Sequence, residues 1–132
     1  MSTQAQGDFP GFQQEHHVTI PSHAAATATE RFYIYEAERA CRVKQVKVFP
    51  AAAATGDNTN RTNINLVKNS TEIGNFDTVT TTGDLTQGGA VTLLSTTTAL
   101  AAGDKLYIEL EKVASGLLLP SMLAQVVIDF GA

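Results

Sequence analysis

Residues Cys41–Asn69 read CRVKQVKVFPAAAATGDNTNRTNINLVKN, and the fold is decided by how this stretch alternates. Two runs of strand-forming residues, Val43–Phe49 and Thr62–Val67, flank a connection too long for a tight hairpin. That connection holds Pro50, four alanines and the turn cluster Thr55-Gly56-Asp57-Asn58. Strict alternation puts Cys41 and Val43 on one face but leaves Val46 and Val48 one residue out of phase. One extra residue, a β-bulge at Lys44-Gln45, brings all four to the same side. Pro50 closes the strand because it has no N–H for the ladder. In the second run Thr62, Ile64 and Leu66 share a face, and Asn63 and Asn65 point the other way. No catalytic group stands out in this stretch, so it predicts sheet structure with a presented loop, Ala51–Arg61.

Working outward, the same period of two recurs. Glu15–Ile20 alternates Val18 and Ile20 and stops at Pro21. Arg31–Glu36 (RFYIYE) places Phe32 and Ile34 on one face and Tyr33 and Tyr35 on the other, with both faces bulky enough to be covered. Glu72–Val79 is a weaker strand, and Val91–Leu94 a short one. Lys105–Val113 alternates cleanly, Leu106, Ile108 and Leu110 against Lys105, Tyr107, Glu109 and Glu111. The last strand, Met122–Phe130, aligns Met122, Ala124, Val126, Ile128 and Phe130. Gly-Asp pairs at 56–57, 83–84 and 103–104 punctuate the runs, and no amphipathic helix of ten residues appears. The expectation is a single all-β domain over residues 15–132, a β-sandwich or jelly roll of about eight short antiparallel strands. Residues 1–14 form an N-terminal arm ahead of it. Phe9 and Phe12, around a Pro-Gly turn, are the arm's candidate anchors on a neighbouring subunit.

Composition narrows the function. Charged residues are 17% of the chain, against about 25% in ordinary soluble domains. Thr, Ala, Ser and Asn fill the difference, which suits strand faces lying on other protein. The net charge of −4 argues against nucleic acid as a partner, since a phosphate-binding surface needs clustered Lys and Arg. Arg39, Arg42, Lys44 and Lys47 do cluster, as one strand face would produce. The start of the chain has neither a basic nor an apolar signal region, and no apolar run approaches a membrane span. A protein made in the cytoplasm without a signal peptide is expected, with no membrane partner.

Several clusters are composed of residues that could carry chemistry. His16 and His17 are adjacent in a strand and point to opposite faces, so the two do not easily bind one ion, which leaves a site on a threefold axis with one His per subunit as the metal alternative. Asp57, Asn58 and Asn60 resemble a calcium run but lack the glycine and the distal Glu at the required spacing, so an Asx turn is the expected use. The single cysteine, Cys41, excludes an internal disulfide and reads as a small buried apolar residue. Glu109 and Glu111 share an outward face, where Lys105 and Lys112 are expected to neutralise them. No nucleophile motif, phosphate loop or dinucleotide fingerprint is present. The expectation is a non-enzyme with no catalytic, cofactor or metal residues.

From Val43 onward the chain resembles the small β-sandwich decoration, or cement, proteins of tailed bacteriophages. The residues carrying the resemblance are the strand Val43–Pro50, the loop Ala54–Asn60, the strand Asn63–Asn69, the segment Ala101–Leu106 and Gly116–Pro120 before a final apolar strand. These cover about two-thirds of the chain and are turn and strand motifs; the histidine-bearing N-terminal third lies outside them. The resemblance implies a structural virion protein on the outer capsid surface. It would bind the major capsid protein and copies of itself, commonly as a homotrimer at capsomer junctions. Candidate contacts are Phe9 and Phe12 in the arm, Asp57, Asn58 and Asn60 in the loop, and Tyr33, Tyr35, Asn63 and Asn65 on strand faces. The competing expectation is a carbohydrate- or receptor-binding β-sandwich of a phage fibre or surface protein, with Tyr107 as its candidate aromatic.

Overall fold

The alternating runs form antiparallel strands throughout residues 12–79 and 83–130, the part of the chain that the computed structural model describes. In chain order these are β1 (Gln13–Ile20), β2 (Glu30–Glu36), β3 (Cys41–Pro50), β4 (Arg61–Lys68), β5 (Thr71–Phe76), β6 (Val91–Leu94), β7 (Thr98–Leu100), β8 (Lys105–Val113) and β9 (Met122–Asp129). One sheet has the order β1-β9-β3-β6, with β7 also on β3, and the other runs β2-β8-β4-β5. No helix occurs among the described residues.

β6 and β7 share one edge of β3, opposite Val46–Val48 and Cys41–Val43 respectively. They amount to a single edge strand interrupted at 95–97. Counted so, the chain passes to the opposite sheet at each connection except the β4–β5 hairpin, as in a jelly-roll sandwich. The core lies between the sheets. Val43, Val46 and Val48 of β3 and Val126 and Ile128 of β9 face Ile64 and Leu66 of β4 and Leu106, Ile108 and Leu110 of β8, all fully buried. Cys41 is a free, buried thiol at the head of β3, as read from the sequence.

The bulge falls where the phase break placed it. Against β9 the register runs Val43↔Ile128 and then Gln45↔Val127, leaving Lys44 as the additional residue. Glycine matters at the open side of the sandwich, where β5 crosses close to β6. A Cβ on Gly74 would lie 2.2 Å from the Leu93 carbonyl oxygen, so only glycine lets the two edges approach.

Nine strands occur among the described residues, in keeping with the eight or so expected, the three-residue β7 being too short to show a period. The structure departs from the sequence reading in three places. β5 spans Thr71–Phe76, ending before the expected Val79. β1 begins at Gln13, so Gln13 and Gln14 of the expected arm pair with Asp129 and Ile128. In β2 the register shifts between Tyr33 and Tyr35, so the two tyrosines do not share an environment. Tyr33 is 47% exposed, whereas Tyr35 packs on the core, so within the chain Tyr33 itself is not covered.

Deleting Lys44 should turn Cys41 and Val43 outward, at about 1.5–3 kcal/mol for each buried side chain lost from the core. Lys44→Ala, which keeps the register, should cost within about 0.5 kcal/mol. Thermal melts by circular dichroism should therefore show a near-native substitution and a grossly destabilised deletion.

Candidate interaction surfaces

The outer face of the β2-β8-β4-β5 sheet gathers most of the polar side chains singled out above. Register places Tyr33, Tyr107, Val67 and Glu72 in one row across it, and Arg31, Glu109, Asn65 and Asn75 in the next. Asn63 sits opposite Glu111 in a third. Asn65 has no exposed surface although it points away from the core. Its Nδ2 donates to Glu109 Oε1 at 2.9 Å and to Glu111 Oε1 at 3.0 Å, and its Oδ1 accepts from Asn75 Nδ2 at 2.7 Å. Arg31 Nε donates to Glu109 Oε2 at 2.9 Å, and Asn75 Nδ2 also reaches Asp77 Oδ1 at 2.9 Å. Tyr33 and Tyr107 stand beside this network with ring centroids 5.4 Å apart.

The lysines expected to neutralise the glutamates point elsewhere. Lys105 Nζ is 3.6 Å from Glu36 Oε2, and Lys112 Nζ donates to the Ala26 carbonyl at 3.4 Å. Asn65 and Arg31 take their place. Burial pushes the Glu109 carboxyl up, but the hydrogen bonds from Asn65 and Arg31 and the guanidinium charge outweigh it and hold the group below its usual range. Glu72 goes the other way: desolvation and the charges of Glu111, Glu109 and Asp77 raise it. Tyr33 donates to Glu36 Oε1 at 2.7 Å, and that bond, with the nearby charge, pushes the phenol up to about 12.

A second group of candidates meets at one end of the sandwich. Phe12 stacks on Phe130 at 6.2 Å, and the Phe130 N–H donates to the Phe12 carbonyl, so this arm residue is anchored on its own domain. Phe9 lies outside the described residues. Arg39 covers the Phe130 ring at 4.7 Å, and His16 tilts against Tyr35 at 4.9 Å. Between them is a cleft of about 360 Å³ lined by Gln14, His16, Tyr35, Glu38, Arg39 and Phe130. Burial, then the neighbouring Cys41, pushes the Tyr35 phenol up to about 12. The three histidines do not converge: His16 faces the cleft, His17 faces solvent beside Glu15, and His23 is buried with Nδ1 3.1 Å from Glu30 Oε1.

The loop before β4 is tied down. Ala54 and Leu85 exchange backbone hydrogen bonds, and Asp57 N–H donates to the Thr78 carbonyl. Asp57 Oδ1 accepts from the N–H groups of Thr59 and Asn60, both at 2.7 Å, which is the expected Asx turn and lowers the carboxyl below its usual range. Asn60 Oδ1 accepts from Ser115 N–H at 3.1 Å, and Arg61 Nη1 donates to the Asn58 carbonyl at 2.9 Å. A Cβ on Gly56 would fall 2.1 Å from the Val79 carbonyl oxygen, so glycine is required there for close approach of two backbones.

Of the candidate residues, the fold therefore unites Tyr33, Asn63 and Asn65 on one sheet face, Phe12 and Tyr35 at one end, and Asp57, Asn58 and Asn60 in a braced loop. Arg31, Glu72, Asn75, Glu109 and Glu111 complete the sheet face and were missed as site residues. Their visible signal was the odd-numbered, outward phase shared by Asn63/Asn65 and Glu109/Glu111. Comparison with protein-family models, with curated proteins and with solved structures returns no match to this chain.

Glu72 yields a pH test. A carboxyl raised on folding makes the folded state less stable above its pKa, and the penalty fades as pH falls to the unfolded value of about 4.3. At pH 7, Glu72→Gln should raise Tm by about 1–4 °C, the scale of exposed charge effects in a domain of this size. The advantage should shrink with falling pH and vanish below about pH 4, where the carboxyl is neutral in both states.

Proposed function

We propose that the chain is a structural virion protein that binds the outside of an assembled phage capsid and stabilises it, as a homotrimer at capsomer junctions. The observation that carries this reading is the outer face of the β2-β8-β4-β5 sheet, a polar surface whose side chains are already hydrogen-bonded into place around Asn65. A surface ordered in advance loses little conformational freedom on docking. The adjoining Tyr33–Tyr107 pair provides the aromatic anchor typical of interface centres. The braced Ala51–Arg61 loop is a second rigid contact, and the sequence resemblance to decoration proteins points the same way. Binding only the assembled shell favours that shell by mass action, and repetition over a lattice multiplies weak contacts. The partners in this reading are the major capsid protein and copies of the chain itself, with no nucleic acid, membrane or catalytic turnover.

Light scattering on the purified chain should give three times the 14.0 kDa chain mass. The chain should also co-sediment with heads of the encoding phage, and Tyr33→Ala should weaken retention about tenfold, as loss of a hot-spot aromatic does. A monomer that stays in the supernatant would remove the proposal.

The same Tyr33–Tyr107 pair, flanked by Arg31 and Glu109, also favours a second reading as a carbohydrate- or receptor-binding module, because aromatic faces beside polar side chains suit sugar rings. Specific retention on a glycan array, lost in Tyr107→Ala, would select this reading over the capsid.

A further inference from the structure

The two ends of the sandwich differ in charge. At the end where β1 and β3 finish and β9 begins, residues 21–29, 51–60, 83–90 and 114–121 lie between strands. These four stretches contain no Lys, Arg or Glu. Both of their aspartates are engaged by backbone: Asp57 Oδ1 accepts from the Thr59 and Asn60 N–H groups, and Asp84 Oδ1 from the Gly56 N–H at 2.6 Å. Ionic groups on the adjoining strand ends are engaged as well, Arg61 by the Asn58 carbonyl, Lys112 by the Ala26 carbonyl and Glu30 by His23. The opposite end is ionic. Lys105–Glu36, Lys68–Asp104 and Arg42–Asp129 pair there at 3.6, 3.7 and 3.9 Å.

The uncharged end is also braced, and it carries exposed apolar side chains. His23 and Leu119 exchange backbone hydrogen bonds at 3.0 and 2.9 Å, which joins 21–29 to 114–121. The Ala51 N–H donates to the Ser121 carbonyl at 2.8 Å, and the Gly88 N–H to the Pro50 carbonyl at 2.8 Å. With its backbone so pinned, Leu119 is fully buried and the preceding Leu118 is turned out, 61% exposed. Leu123, 39% exposed, stands at the same end beside a notch of about 210 Å³ that it shares with Thr19, Phe49 and Ala51. Among the described residues, Tyr33 is the one other large apolar side chain so exposed. Exposed apolar surface gathered in one place marks a contact site, and a braced one loses little freedom on docking.

We propose that this end, built from residues 21–29, 51–60 and 114–121, seats the chain on the assembled shell, against a protein surface that presents aliphatic side chains and no unpaired charge. The inference rests on the capsid reading and gives the chain a direction on the shell. Charge selects the occupant. Nucleic acid and anionic lipid call for free cations, and the flanking Arg61 and Lys112 are already bound to carbonyls. A second copy docked through the same end would form a two-fold pair, which does not close a threefold ring. A neutral protein surface fits, because a charge facing this end would be buried unpaired. The ion pairs of the opposite end then face water, where exposed pairs carry little cost.

The test is co-sedimentation of the full-length chain with purified heads, with light scattering and thermal melts in parallel. Leu118→Lys, at an exposed position, should melt within about 4 °C of the parent and keep its solution mass. Its retention on heads should fall at least about tenfold, since docking would bury an unpaired ammonium. Ala52→Glu, on another connection, should act likewise. Glu38→Gln shifts net charge in the same direction as Leu118→Lys, but at the opposite end, and should leave retention unchanged. Parent retention should vary less than about twofold between about 50 and about 500 mM sodium chloride, because no ion pair crosses the contact. Parent-like retention of Leu118→Lys and Ala52→Glu, or a steep loss of parent retention with salt, would overturn the inference while leaving the capsid reading in place. A drop in the solution mass of Leu118→Lys would overturn it by assigning this end to a contact between copies. A parent chain that ignores heads altogether would remove both.

Discussion

The extra residue at Lys44 is the constraint on which the sandwich depends. Among the described strands β3 alone pairs with three others: β9 along one side, and β6 and β7 in succession along the other. Its two halves must both send their apolar side chains inward, yet their spacing in the sequence is odd. A side-chain period of two allows no compromise, because a single-residue slip exchanges the faces of everything beyond it. The bulge resolves the conflict within the strand and leaves Lys44 itself half-buried at the surface. The same irregularity coincides with the break between β6 and β7, so the edge strand yields where the central strand is distorted.

β4 poses the opposite problem. Its residues from Thr62 to Val67 are buried on both faces, yet they include two asparagines and a threonine. A buried outward amide is costly unless a partner meets it, since an unmatched polar group without water loses its hydration. Asn65 is fully met by Glu109, Glu111 and Asn75, and Thr62 exchanges hydrogen bonds with Leu117 and with Thr78. The network links strands that are far apart in sequence and makes the outer sheet face as determinate as the core.

Much of this was legible from residues alone. The alternation of Leu106, Ile108 and Leu110, the Met122–Phe130 run, the phase break at Lys44, the capping use of Asp57 and the buried Cys41 each rest on a local period or a local turn, and each holds. What failed to show depended on partners distant in the chain. Lys105 and Lys112 neighbour Glu109 and Glu111 in sequence, but their ammonium groups turn to Glu36 and Ala26. Tyr33 and Tyr35 looked equivalent until pairing with β8 introduced a shift between them. The convergence of Glu72 on the β8 glutamates depends on β5 lying beside β4 with its own register shift, which no local pattern announces.

That irregularity of the margins has a further consequence. A jelly-roll sandwich keeps open strand edges, and an exposed regular edge invites another chain to extend the sheet. Here β2 and β5 each carry a register shift, and the β6–β7 edge is broken. β1, the one unbroken margin, presents Glu15 and His17 to solvent and ends before Pro21. Copies held at high local density are thus discouraged from fusing into continuous sheets. What the margins do not offer is left to the sheet faces and ends, where side chains rather than backbone would discriminate one contact from another.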